Sequence, residues 1–420
     1  MSPKKRLFVL LLCFLLLCTS TYADPRAKNV ILLIGDGMGT NQRLAATSYL
    51  GQSLHMDWEI RTIITTHSAN SAVTDSAAAA TALATGQKTN NGYLSISPDG
   101  EKLTTILEKA AAAGKATGLV ATSTITHATP AAFAAHRNNR NDELGVALDF
   151  LDNKVDLLLG GGRQLFLPIS KGGRRTDGRD LTSEFQTLGY KYLEKTKELQ
   201  SLSSLPALGL FIDEGFPYAI ENDGSLPTMA QMTKKALELL SQNQEGFFLM
   251  VEGSQIDWTC HANDPAATFF EIVAFDEAVA EALRFATDHP ETLVVVVGDH
   301  ETGGLKLGEG DPGALRSVRT SSRKLAQILD ADPDRAHELF CEYTGICPLP
   351  EELKKLLAGN LEAAISKFLS QQAGLSWSTG GHTKTPLPLT AFGQNAKYFL
   401  EAKDNTQVPK LIGKAMGIEF

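Results

Sequence analysis

The chain has 420 residues, 43% of them hydrophobic, enough for one large α/β core. Its formal charge of −9 excludes a general attraction to nucleic acid or anionic lipid, so any anion it binds must meet local cations: a metal, an arginine or a helix N-terminus. Lys4, Lys5 and Arg6 precede a twelve-residue apolar run, residues 7–18, which is too short to span a bilayer comfortably. Small residues at Thr21 and Ala23 complete the pattern of an export signal over residues 1–23. The expectation is therefore a leader followed by one domain, residues 24–420, in the periplasm or outside the cell, with no membrane span after cleavage.

Residues 29–34, 117–122, 155–159, 247–251 and 293–297 are short continuous apolar runs bounded by Gly or polar residues. Such runs suit strands covered on both faces. Helical patterns at 76–83, 104–113 and 228–241 fall between them, so the alternation predicts a doubly wound, mostly parallel sheet with helices on both faces. Residues 306–375 are charged and helix-patterned at 324–329, 351–357 and 361–369, and read as a helical insertion near the mouth of the site. No internal repeat is present. Cys13 and Cys18 leave with the leader. Cys341 and Cys347 either close a small loop or stay free, and Cys260 is left over beside His261.

In an α/β sheet of this kind, sites gather beyond the C-terminal strand ends. Asp36 follows the first run, Glu252 and Asp257 follow the run ending at Val251, and Asp299 and His300 follow the run ending at Val297. Each has a bland reading too. Asp36 could cap a helix, Asp257 and His261 could be one solvated helical face, and His382 could be loop material. The adjacent Asp299-His300 pair resists such a reading, because charge at a buried strand end is costly unless paired or metal-bound. Ser76 opens an Ala-rich helix, where a cap or a nucleophile both fit. No Gly-x-Ser-x-Gly elbow surrounds it, which disfavours a hydrolase triad, and a serine without an evident base needs a metal to acidify it.

Seven stretches occur in order: Asp36-Gly37-Met38-Gly39, Thr74-Asp75-Ser76-Ala77, His127-Ala128-Thr129-Pro130-Ala131, Gly160-Gly161-Gly162-Arg163, Glu252-Gly253-x-x-Ile256-Asp257-x-x-x-His261, Gly298-Asp299-His300-Glu301-Thr302-Gly303-Gly304, and Gly381-His382-Thr383. Together they resemble the alkaline phosphatase family, over nearly the whole chain after the leader. The resemblance implies hydrolysis of phosphate monoesters through a phosphoserine on Ser76, two zinc ions, a third metal that is usually magnesium, and a homodimer. Asp36, Asp299 and His300 match the ligands of the zinc near the serine. Asp257, His261 and His382 match those of the second zinc, and Asp36, Thr129 and Glu252 those of the third metal. Arg140, thirteen residues after His127, stands at the family's spacing for its phosphate-clamping arginine.

Two positions depart from parts of the family. His127 stands where some members have Asp, as a softer ligand of the third metal or as an orienting neighbour. Trp258 stands where others have Lys or His, and would wall the pocket or stack on an aromatic leaving group. Rivals on the same fold fare worse. Ser76 is followed by alanines rather than a Cys/Ser-x-Pro-x-Arg setting, which excludes a sulfatase, and Arg140 favours monoesters over diesters. A non-catalytic metal- or phosphate-binding protein would not need Ser76 and Arg140 beside every metal ligand. Arg174 and Arg175, in a Gly-rich stretch, read as solvated surface. His55, His67, His136, His289 and His337 carry no motif.

Overall fold

The computed structural model describes residues 25–58, 60–355 and 360–420. The expected leader, residues 1–23, lies outside them, as do residues 356–359, at the end of one of the helices expected in the insertion.

The strands in chain order are β1 (Asn29–Gly35), β2 (Arg61–Ile64), β3 (Ala116–Thr124), β4 (Leu157–Gly161), β5 (Lys191–Leu193), β6 (Ala207–Leu210), β7 (Phe247–Gly253), β8 (Thr292–Gly298), β9 (Glu301–Thr302), β10 (Leu305–Leu307), β11 (Leu375–Trp377), β12 (His382–Thr383) and β13 (Leu387–Gly393). Nine of them form one sheet in the order β2-β13-β8-β1-β7-β3-β4-β6-β5. Only β13 runs against the rest, pairing antiparallel with both β8 and β2. The large, mostly parallel sheet is the expected one.

Each central strand is buried on both faces, and the period of two sorts its side chains into two cores. Ile31, Leu33, Leu249, Val251, Val294 and Val296 face one layer, with helices Thr40–Leu50, Met229–Leu240 and Pro265–Asp288. Val30, Leu32, Ile34, Phe248, Met250, Val295 and Val297 face the other, with helices Ser76–Thr85, Ala128–Ala134 and Gln407–Met416. Alternate residues of one strand thus serve opposite cores, which explains why these runs have no polar face.

Between β10 and β11 the chain forms helices Ser322–Ala331, Ala336–Thr344 and Leu361–Gln372 and the short helix Glu351–Lys354. β10 and β11 pair antiparallel and Gly308 N donates to Gly374 O at 2.8 Å, so the insertion leaves and rejoins the body at one point. Asp264 ties it down, accepting from Ser322 N at 2.6 Å. Cys341 and Cys347 are joined as a disulfide within it.

One reading needs correction. Arg174 is exposed as expected, but Arg175 is not solvated: it is 2% exposed, donates to Leu144 O and Leu165 O, and pairs with Asp177. An arginine whose donors find carbonyls can be buried as a fastener, and nothing local in a Gly-rich stretch reveals those partners.

Candidate active site and metal centre

The register puts the ends of three neighbouring strands level. Gly35 of β1 lies opposite Gly253 of β7 and Gly298 of β8. The chain leaves each strand at this edge, carrying Asp36 from β1, Gln255–His261 as a helix after β7, and Asp299-His300 after β8. Gly37 lets the segments close up. Its φ is +75° and a Cβ there would stand 2.7 Å from Asp257 Cα, while its N–H donates to Asp299 Oδ1 at 3.0 Å. Asp36 is therefore no helix cap; the following helix, Thr40–Leu50, starts from Gly39 with no side-chain cap.

Three groups of possible ligand atoms come together: Asp36, Asp299 and His300; Asp257, His300 and His382; and Asp36, His127 and Glu252. His300 Nε2 lies 3.4 Å from Asp36 Oδ1, 3.3 Å from Asp299 Oδ2 and 3.2 Å from Ser76 Oγ. One turn of helix separates Asp257 from His261, and His261 Nε2 is 3.2 Å from both Asp257 Oδ2 and His382 Nε2. Thr129, the second residue of helix Ala128–Ala134, is buried next to Glu252, with no hydrogen-bond partner for its hydroxyl.

The histidines are oriented by their other nitrogens. His261 Nδ1 is 2.7 Å from Gly380 O and His382 Nδ1 is 3.0 Å from Thr74 O. A carbonyl only accepts, so both Nδ1 atoms carry the proton and leave Nε2 free to act as a ligand atom. His300 reaches the same result through Thr302, whose hydroxyl donates to Asp257 Oδ1 at 2.5 Å and accepts from His300 Nδ1 at 3.2 Å. Glu301 clamps the two loops, accepting from Gln42 Nε2 at 2.6 Å and from the Thr383 hydroxyl, while β9 pairs with β12.

Ser76 is the first residue of its helix, not the cap. Asp75 caps it, Oδ1 accepting from Ala78 N at 3.0 Å, while Oδ2 accepts from Gly92 N at 2.9 Å and from Arg140 Nη1 at 3.1 Å. Arg140 Nη2 also lies 3.4 Å from His127 Nε2. Trp258 stands edge-on to His127, ring centroids 5.8 Å apart. Cys260 is buried, belongs to none of the three groups, and has its thiol pushed well up by burial.

The electrostatics call for cations. Both oxygens of Asp36, Asp299 Oδ2, Glu252 Oε1, Thr129 Oγ1 and His127 Nδ1 are buried without a hydrogen-bond partner. Burial, then Asp299, Asp257 and Glu252, push Asp36 well above the carboxylate range. Burial and Asp257 raise Asp299 to about 8, and burial raises Glu252 to about 7. Loss of hydration and the Arg140 charge hold His127 down at about 3, as a neutral imidazole. Three acids, Asp36, Glu252 and Asp299, fully buried and without a countercharge to match them, are costly, and divalent cations on these mixed N and O donors would remove that cost.

Sequence reasoning passed over Asp75, Thr302, Glu301 and the Thr74 carbonyl. The signal for Asp75 was available, since Asp directly before a helix is a cap and here one carboxylate also reaches Arg140. Thr302 and Glu301 stood inside a quoted motif, but their partners are 45 and 82 residues away in sequence.

A family model described as alkaline phosphatase matches residues 27–418. Alkaline phosphatase 3 of Bacillus subtilis is 35% identical over 421 residues, covering 93% of this chain and 89% of that protein. The cold-active alkaline phosphatase of a psychrophilic Shewanella superposes with a TM-score of 0.86 at 33% identity, covering 92% of this chain and 99% of the other. The alkaline phosphatase of the Antarctic bacterium TAB5 gives 0.74 at 31% identity, covering 94% and 99%, and its variants with a histidine changed to Asp or Glu are described with magnesium in a site called M3.

Proposed function

Since this chain belongs to the alkaline phosphatase family and is a phosphomonoester hydrolase, we propose that it works through a phosphoserine on Ser76, with two zinc ions and one magnesium as cofactors. The observation that carries this is the meeting of Ser76 Oγ with His300 Nε2, at 3.2 Å, beside carboxylate oxygens that have no other partner.

Asp36, Asp299 and His300 would hold the zinc beside the nucleophile, Asp257, His261 and His382 the second zinc, and Asp36, Glu252 and Thr129, with His127 next to them, the magnesium. When bound, these ions supply the positive charge that lowers the pKa of the serine hydroxyl and of the hydrolytic water and offsets the charge of the departing oxygen. Ser76 Oγ attacks phosphorus, the ester P–O bond breaks on the opposite side, and the alcohol leaves with a proton. Water then attacks the phosphoserine, the P–Oγ bond breaks, and Ser76 regains its proton. Two such displacements retain configuration at phosphorus.

The chain's own contribution is mostly positioning and charge. Ser76 is the first residue of helix Ser76–Thr85, so the positive end of that helix would add to the charge that holds the phosphoryl oxygens. Arg140, steered by Asp75, keeps donors free for two non-bridging oxygens, a bidentate contact that a lysine cannot copy. Trp258 walls the pocket beside His127. The substrates are small phosphomonoesters, without a dedicated nucleic-acid role. The Cys341–Cys347 disulfide supports an exported location, periplasmic or extracellular, and the family resemblance supports a homodimer.

The test is hydrolysis of p-nitrophenyl phosphate by wild type, Ser76→Ala and chelator-treated wild type. Loss in both controls, recovery with zinc and magnesium, and a phosphorylated Ser76 peptide after acid quench are expected. A fully metal-loaded wild type that does not turn over would overturn the reading.

A further inference from the structure

Between helix Pro265–Asp288, the loop that follows β6 and the first residue of helix Gln255–His261 lies a cavity of about 300 Å³, lined by none of the candidate metal ligands. Phe216, Met229, Phe270 and Val273 make most of its wall apolar. Thr122, Gln255 and Glu271 are buried polar residues in that wall, and the chemistry at Ser76 uses neither Gln255 nor Glu271.

Gln255 is 1% exposed. Its Nε2 donates to Phe216 O at 2.8 Å and Thr122 O at 3.2 Å, which leaves Oε1 buried with no donor. Glu271 is 2% exposed and accepts one hydrogen bond, from Ala219 N at 2.6 Å. Among the described residues no basic side chain pairs with it, and the neighbouring charge that acts on it, Glu221, repels it. Burial pushes its carboxyl up to about 8, the mark of an acid without a countercharge. Glu277, exposed, stands at the same cavity and adds negative charge.

A buried acceptor without a donor and a buried acid without a cation each cost free energy, and native proteins keep few of them. Apolar walls with a small number of convergent polar groups are the make-up of a ligand site, and this cavity has the lower end of the usual size. Every unsatisfied group here is an acceptor or an acid. The missing complement is a donor that carries positive charge on a small apolar body.

We propose that this cavity is a second binding site, for an organic ammonium ion with a compact aryl or alkyl group, whose N–H groups meet Gln255 Oε1 and the Glu271 carboxylate while its body packs on Phe216 and Phe270. Occupancy is sensed by Trp258: Gly215, next to Phe216, packs so closely that a Cβ on it would stand 3.0 Å from the indole.

The test is calorimetric titration of the zinc- and magnesium-loaded protein with 2-phenylethylammonium, with neutral 2-phenylethanol as the control and tryptophan fluorescence as a second readout. Saturable 1:1 binding of the amine is expected, at least tenfold tighter than the alcohol. Glu271→Gln, which keeps the bond from Ala219, should weaken it at least tenfold, and Ala274→Trp, which fills the cavity, should abolish it. Thermal melts establish that both variants fold. Absence of saturable binding, equal binding of the alcohol, or unchanged binding in both variants would each overturn the proposal. Because the readout is binding, it is independent of turnover at Ser76.

Discussion

Replacing Thr302 with valine keeps the shape of a fully buried side chain and removes one hydroxyl. That hydroxyl makes two contacts, to Asp257 Oδ1 at 2.5 Å and to His300 Nδ1 at 3.2 Å, so it joins one proposed ligand of each of the two proposed zinc positions. In Thr302→Val the His300 N–H loses its acceptor in a dry site and Asp257 loses a donor. An unsatisfied buried group costs about 1–3 kcal/mol, and loss of a partner that orients a metal ligand costs roughly 10–100-fold in affinity. The two ranges agree. The expected result is zinc affinity reduced about 10–100-fold, read by competition with a chromogenic chelator, with most of kcat recovered at saturating zinc. Zinc affinity equal to wild type in a folded Thr302→Val protein would refute the orienting role of this hydroxyl.

Asp75→Asn keeps a good helix cap but removes the charge beside Arg140, so inhibition by inorganic phosphate should weaken about tenfold, in line with a charge-assisted bond; unchanged inhibition would mean Arg140 needs no such steering. His127→Asp puts a hard oxygen donor beside Asp36 and Glu252 and should raise magnesium affinity, measured by equilibrium dialysis of the chelated protein. The His136–Glu108 pair, 2.8 Å apart, gives a pH-dependent stability term. Burial lowers His136, but Glu108 and Ser95 O outweigh it and raise the imidazole; burial likewise opposes, and His136 overcomes, in lowering Glu108. The raised His136 stabilises fully below its unfolded value, about 6.5, and its share is lost as pH rises through the folded value. The lowered Glu108 stabilises above about 4.5 and its share is lost as pH falls. His136→Gln should therefore destabilise more at pH 6 than at pH 9 in urea melts, and an equal loss at both would rule the pair out as the source.

The sheet was legible because β1 and β8 are unbroken apolar runs that end in Gly followed by Asp, and β7 is an apolar run that ends in Glu252-Gly253. Asp36, Asp257, Asp299 and His300 reach one edge for that reason alone, through a register that sets Gly35, Gly253 and Gly298 level. What escaped was carried by partners distant in sequence. β13 runs antiparallel, which a short mixed segment does not announce. Arg175 is buried by carbonyls from two other segments, and the acceptor left on Gln255 emerges only when its amide is seen spent on Thr122 and Phe216. His382, a loop histidine to the eye, becomes a ligand candidate because β12 is zipped to β9 and its ring is pinned by Thr74 O.

The insertion is a graft with a single stem. Leu305 sits opposite Trp377 and Leu307 opposite Leu375, so the two ends of a long excursion are already neighbours before it begins. A chain of any length can be spliced at such a stem without shifting the strands that carry Asp299, His300 and His382, provided its underside is apolar where Leu325, Leu329, Ile365 and Leu369 now pack. The helices carried on this stem can therefore be lengthened or shortened with the hinge of the change kept at Leu305–Leu307 and Leu375–Trp377, away from the strand ends that carry Asp299 and His300.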